Sequence, residues 1–310
     1  MLKNTNTKVI TEKDISKKLG RVVKSPIRVG DIADLGMHTT TFLNFFKPFF
    51  EELQDDNYLV RGKQITFLKE SFPEESEMIE KIHKSYFEGN VTSKVLDPWI
   101  QKLDASQKQQ YDHLSVITRQ RNIASFQIEI WDDTIFVERI VQHAFEQDVD
   151  DFRVWKRVFT QASREAVENE LFFELLKKMT GLVQEIHPEI RKMQITSHFM
   201  RTISQEKIKG ENAPEGVHED GAQYIMSALV INRQNSIGAE SQVYEKLSPE
   251  HNELIYRKVL APGEFIFQAD TGEEFTFGND LWHYVTPIEP DDSSRLGIRD
   301  IIGFDIDILD

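Results

Sequence analysis

Residues 297–308 read GIRDIIGFDIDI. Ile302, Phe304, Ile306 and Ile308 fall on one parity, and Arg299, Ile301, Gly303 and Asp305 on the other. A period of two marks a strand whose side chains point alternately to opposite faces. The isoleucine face packs against a scaffold. The other face carries a charge, and Gly303 leaves space beside Arg299.

The same period extends back to Gln194, with strands expected at 194–203, 222–232, 240–246, 254–260, 264–269, 281–286 and 297–308. Turn residues separate most of them: Glu215-Gly216, Pro262-Gly263, Thr271-Gly272, Gly278-Asn279 and Pro290-Asp291-Asp292. So many short strands in about 115 residues predict a barrel or a double-sheet jelly roll, of the cupin-like, double-stranded β-helix kind.

Upstream, residues 31–192 follow a helical period. Phe42, Phe45, Phe46, Phe49 and Phe50 form one apolar stripe. A long helix is expected from about Ser163 through Val167, Leu171, Leu175, Met179 and Val183, ending near His187-Pro188. A short strand, Ser125 to Ile130, interrupts this half. No internal repeat or long linker is visible. The expectation is one α+β domain over residues 31–310, with helical support over 31–192 packed on one sheet and a jelly-roll core over 193–310. Residues 1–30 carry eight Lys or Arg against Glu12 and Asp14 and read as a basic arm or peripheral strand.

Composition narrows the function. The chain has 310 residues, 39% hydrophobic and 29% charged, with a formal net charge of −15. Nucleic-acid binding needs Lys and Arg to replace phosphate counterions, so a chain this acidic predicts a small-molecule substrate instead. No apolar run is long enough to span a bilayer and the first residues have no apolar signal core, which predicts a cytoplasmic protein. With no cysteine, a metal must be held by His, Asp or Glu.

Three histidines open a His-x-Asp/Glu triplet: His187, His218 and His251. Chance supplies one or two in a chain this acidic, so context decides. His187 sits at a helix end and His251 in a polar loop, and both read as structural. His218 follows a turn and precedes a strand, where His218 and Asp220 share a face while Glu219 points away. Sixty-three residues after Asp220 comes Leu-Trp-His283-Tyr-Val, a short aromatic strand. Strands far apart in sequence lie side by side in a jelly roll. Two histidines and one carboxylate leave half of an ion's positions free, the facial triad of non-haem iron(II) oxygenases. The cosubstrate 2-oxoglutarate would need a guanidinium for its remote carboxylate, and Arg299 stands on the right face. Arg295 has the same parity but follows Asp-Asp-Ser-Ser in a loop.

These segments, Glu-Gly-Val-His218-Glu-Asp220-Gly-Ala, Leu-Val-Ile-Asn-Arg233, Trp-His283-Tyr-Val-Thr-Pro-Ile and Gly-Ile-Arg299-Asp-Ile-Ile, resemble the bacterial iron(II)/2-oxoglutarate-dependent dioxygenases that hydroxylate free L-amino acids, the isoleucine hydroxylase type most of all. The resemblance covers residues 190–310 and implies Fe(II) at His218, Asp220 and His283, 2-oxoglutarate at Arg299, molecular oxygen as co-reactant and an L-amino acid as substrate. Asp220 favours hydroxylation, because related halogenases lack that carboxylate, with desaturation and sulfoxidation as the other outcomes open to such a site. Where relatives carry Gly-Gly after the Asn-Arg strand, this chain has Ser236-Ile-Gly238-Ala239-Glu240. Arg201 and Arg233 are candidates for the substrate carboxylate, and Tyr224, Gln223 and His198 for the pocket lining. Other readings of the same residues are oxygenation of a peptide or carrier-tethered amino acid, a jelly-roll sensor that holds metal without turnover, and a zinc or manganese hydrolase or isomerase.

Overall fold

In a computed structural model the described residues are 9–132, 134–141, 155–248, 250–271 and 281–309. Fourteen strands are described: β1 (Ile10–Thr11), β2 (Ile27–Asp31), β3 (Arg119–Trp131), β4 (Thr134–Ile140), β5 (Thr160–Gln161), β6 (Lys192–Ser204), β7 (Tyr224–Gln234), β8 (Ser236–Gly238), β9 (Glu240–Ser248), β10 (His251–Val259), β11 (Glu264–Ala269), β12 (Leu281–Val285), β13 (Ile288–Pro290) and β14 (Gly297–Ile308). The helices are α1 (Glu12–Leu19), α2 (Thr39–Phe46), α3 (Asn57–Ser71), α4 (Ser76–Phe87), α5 (Asp97–Ile100), α6 (Ala105–Leu114), α7 (Arg164–Val167) and α8 (Glu170–Gln184). None is long and apolar enough to cross a membrane.

The large sheet runs β1-β2-β11-β7-β14-β6-β3-β4, with β5 added parallel to β3 and the other pairings antiparallel. A three-stranded sheet, β10-β9-β12, faces it, and β8 pairs with β13. The alternation in β14 divides two cores. Ile302, Phe304, Ile306 and Ile308 join Phe42, Phe46, Phe172, Leu175 and Met179 beneath the helices. Ile301 instead joins Val230, Ile266, Val243, Ile255 and Leu281 between the two sheets. The molecule is thus an α+β structure layered as helices, large sheet and small sheet.

The helical half departs from the expected pattern in three ways. The strand read as Ser125 to Ile130 is the 13-residue β3, because its first half, Arg-Gln-Arg-Asn, faces a polar pocket and lacks apolar alternation. The helix expected from Ser163 is two. Glu168 leaves helical geometry, and Asn169 caps α8 by accepting from the Phe172 N–H at 3.0 Å. Finally, α3, α4, α5 and α6 build a satellite core around Ile65, Leu68, Ile79, Trp99 and Tyr111, so the sheet is covered chiefly by α2 and α8. Phe45 of the phenylalanine stripe stays exposed, while Phe42, Phe46 and Phe50 are buried.

Residues 10–31 contribute β1, α1 and β2, and Ile27 and Val29 are buried where β2 pairs with β11. The expected turns at Gly272 and Gly278-Asn279 lie outside the described residues. His251 opens β10 rather than lying in a loop, and it is exposed there.

Phe172 fixes the helix layer to the sheet: its ring centroid lies 5.5–6.2 Å from those of Phe46, Phe126, Phe199 and Phe304. Phe172→Ala should destabilise the fold by about 3–5 kcal/mol, read as a lower urea midpoint with an unchanged slope. A loss under about 1 kcal/mol would show that α8 is not anchored by this cluster.

Candidate active site

His283 is the middle residue of β12, where Leu281, His283 and Val285 point inward while Trp282 and Tyr284 alternate away. His218 precedes β7 and meets His283 through an isolated antiparallel bridge: His218 N donates to His283 O at 3.0 Å and His283 N to His218 O at 2.8 Å. That doubly bonded pair holds the two rings with centroids 4.3 Å apart.

Asp220 completes the group, but not by strand alternation. The large-sheet strand begins at Tyr224, not Ala222, and residues 219–223 are irregular. Gly221 takes φ +87°, the left-handed region that glycine enters without strain. The carboxylate of Asp270, at the end of β11, accepts the N–H groups of Asp220 at 2.7 Å and Gly221 at 2.9 Å. This clasp turns the Asp220 side chain toward the imidazoles, with Oδ1 3.5 Å from His218 Nε2 and Oδ2 3.4 Å from His283 Nε2. One donor atom from each residue falls within 4.8 Å of the others.

Hydrogen bonds assign the imidazole faces. His218 Nδ1 donates to Gly216 O at 2.8 Å, which turns Nε2 toward Asp220. His283 turns Nδ1 toward Asp270, 3.7 Å away. Burial opposes charge on His283, but Asp220 and Asp270 outweigh it and push its pKa up to about 10. Burial also opposes charge on Asp220, yet His283 and His218 hold it well below the usual carboxylate range. A cation in this cluster would replace the protons now shared among these groups. The donor set of two nitrogens and one oxygen, with an open side, fits iron(II).

Asp270 gives no sequence signal of its own, since it belongs to no motif. Asp270→Ala should weaken divalent-metal binding about 10–100-fold, read by titration against a competing chelator, because two N–H groups lose their acceptor. Unchanged affinity would mean that the clasp is dispensable.

Arg299 reaches the same pocket from β14. It is 1% exposed, and Nη1 donates to Asn212 Oδ1 at 3.1 Å. Its Nε and Nη2 have no hydrogen-bond partner among the described residues. Burial and the facing Arg233 push its pKa down to about 9, against the pull of Asp300. A buried guanidinium with two unused donors is a costly arrangement that an incoming carboxylate relieves. It therefore fits 2-oxoglutarate. Asn212, which also accepts from Thr202 Oγ1 at 2.9 Å and donates to Thr286 O at 2.8 Å, locks the guanidinium in place. Arg295 lies exposed in the loop, paired with Asp292 at 2.9 Å.

The substrate candidates fare differently. Arg201 has the opposite parity to His198 and lies on the helix side of the sheet, paired with Asp300 at 2.7 Å and Glu51 at 2.8 Å. Arg233 donates to the carbonyls of Ser236 at 3.3 Å and Gly238 at 2.8 Å, supporting its own turn. Tyr224 sits in the helix-side core, its hydroxyl 2.7 Å from His187 Nε2 and its ring stacked on Phe267. Gln223 accepts the Ile308 N–H. None of these four lines the pocket, whereas His198 does, 3.0 Å from Asp305. Ser236–Gly238, the departure from the resembling group, forms β8 against β13 rather than a loop over the pocket. Sequence reasoning missed Arg119, Arg121 and Arg157, which line the same pocket as the histidines.

Among solved structures, the chain is similar to a bsmA homolog from Methylobium petroleophilum PM1, at 16% identity and TM-score 0.58 over 97% of this chain and 87% of that one. It is also similar to IDO from Bacillus thuringiensis, at 11% identity and TM-score 0.55 over 96% of each chain. At such identities the likeness speaks for the fold alone. No curated protein matches the chain. The family model for 2OG-Fe dioxygenases matches residues 102–305, a span that contains both histidines, Asp220 and Arg299. This chain belongs to the 2OG-Fe dioxygenase family and is an enzyme that works with Fe(II) and 2-oxoglutarate.

Proposed function

We propose that this dioxygenase hydroxylates an unactivated C–H bond of a free L-amino acid or a close derivative, in a double-stranded β-helix formed by the two facing sheets. In this reading His218, Asp220 and His283 hold the metal and Arg299 binds the remote carboxylate of 2-oxoglutarate. The observation that carries it is Arg299: a fully buried guanidinium with two unpartnered nitrogens, in the pocket that also holds the two imidazoles and the carboxylate. A jelly-roll sensor that only held metal would have no use for it.

Oxygen is the oxidant in the chemistry that bound iron(II) would supply: one of its atoms enters succinate as 2-oxoglutarate loses carbon dioxide, and the other enters the substrate as a hydroxyl. The protein's part is positional. The His218–His283 bridge and the Asp270 clasp fix the donor atoms before any ligand arrives, so little ordering cost remains. Arg299 and Asn212 set the cosubstrate's orientation through parallel hydrogen bonds.

Purified protein with iron(II), 2-oxoglutarate and a panel of L-amino acids should release succinate with at least one of them, and that amino acid should gain the mass of one oxygen atom. Turnover of peptide- or carrier-tethered amino acids alone would replace the free substrate. Turnover without oxygen would sink the reading altogether.

A further inference from the structure

The pocket holds more positive charge than the cosubstrate needs. Arg119 and Arg121 lie two residues apart on β3, on the face shared with Thr202 and Met200 of β6, their cross-strand partners. Arg157 joins them from the segment before β5. The buried carboxylate of Asp56 ion-pairs with this cluster from the N-cap of α3, where it also accepts from Tyr58 N at 3.2 Å. Asp56 is committed to Arg119, whose Nε lies 2.7 Å away.

Arg121 is left with weak company. Its Nε is 3.9 Å from the Asp56 oxygen that Arg119 already uses and has no hydrogen-bond partner among the described residues. Its Nη2 contacts the sulfur of Met200 at 2.9 Å, a weak acceptor. The guanidinium lies over the ring of Phe159, 4.9 Å from the centroid. Its side chain is only 12% exposed. Burial and the Arg119 charge push its pKa down, while Asp56, Asp305 and Asp220 oppose them. The last two carboxylates line the same pocket, so Arg121 shares that pocket with the candidate metal ligands.

We propose that Arg121 binds the carboxylate of the organic substrate, with the Arg119–Asp56 pair positioning it and Arg157 adding charge. The inference rests on the reading of Arg299 as the 2-oxoglutarate anchor, because the two guanidinium sites must then serve different ligands. Register supports that division. Arg121 and Arg299 lie on strands separated by β6, and two strand spacings amount to about 10 Å. A singly charged carboxylate fits better than a phosphate, since Glu215 and Asp305 share the pocket and would repel a second negative charge. The same acidic groups suit an ammonium on the substrate.

The test is anaerobic calorimetry on the iron(II)- and 2-oxoglutarate-loaded protein. The probes are aliphatic L-amino acids, their primary amides, and the corresponding acids lacking the amine. Acids should bind with or without the amine, and amides at least about tenfold more weakly. Arg121→Gln should weaken the acids by about tenfold or more and leave 2-oxoglutarate affinity within about twofold, which also reports that the variant is folded. Arg121→Lys should fall between. Amides that bind as tightly as acids, an Arg121→Gln variant that loses 2-oxoglutarate affinity instead, or no binding by any acid would each overturn the proposal. Arg121-dependent binding of the deaminated acids alone would keep the carboxylate site and overturn the amino-acid reading.

Discussion

Replacing His218 with alanine is expected to cut 2-oxoglutarate-dependent succinate release by on the order of a thousandfold or more. The size of the effect follows from the division of labour. The metal carries the chemistry, and in the proposed reading His218, Asp220 and His283 hold the metal. Removing one imidazole leaves two donors and takes away the ring whose Nδ1 is tied to Gly216 O. The backbone bridge to His283 survives, because it uses main-chain atoms, so the fold should persist. The matched control is His251→Ala. His251 opens an equally spaced His-x-Glu triplet but lies exposed at the start of β10, and its loss should change activity by no more than about twofold. Full activity in the His218 variant, measured as succinate released per enzyme, would refute the metal assignment.

The second large effect is expected at Arg299. Arg299→Leu should raise the KM for 2-oxoglutarate by on the order of a hundredfold, the cost of losing a buried, charge-assisted contact. Arg299→Lys should recover part of it, because an ammonium keeps the charge but not the two parallel hydrogen bonds. Stability provides a distinguishing readout. Nε and Nη2 of Arg299 have no partner among the described residues, so an apolar side chain of smaller volume removes a buried charge at little cost. The thermal midpoint of Arg299→Leu should therefore not fall as it would for a structural ion pair. An unchanged KM, or a folding loss comparable to that of Phe172→Ala, would show that the guanidinium serves the scaffold instead.

Legibility followed the range of the interaction. Strands with an apolar face, such as β14 and β12, are visible in the sequence because alternation is a property of neighbouring residues. The first half of β3 is not, because its polar side chains, Arg119 and Arg121 among them, are buried against other charges rather than in an apolar core. The break at Glu168-Asn169 was missed for a related reason: Val167 and Leu171 keep the helical spacing on both sides of it, and only the cap reveals the stop. Arg201 and His198 illustrate the limit. Both lie on β6, but odd and even positions face different layers, and nothing local says which layer holds the site.

What the sequence alone determined is the order and type of the candidate site residues: His218, Asp220 and His283, then Arg299, each in a segment whose period or turns are locally encoded. Only the tertiary structure decided how they converge. His218 is placed by a backbone bridge to a residue 65 positions away, and Asp220 by a carboxylate 50 positions away. It alone also set Asp56 between α3 and β3, so that one carboxylate answers Arg119 and leaves Arg121 facing the pocket. Periodicity is a short-range property, whereas the partner across a sheet or pocket depends on how distant segments pack.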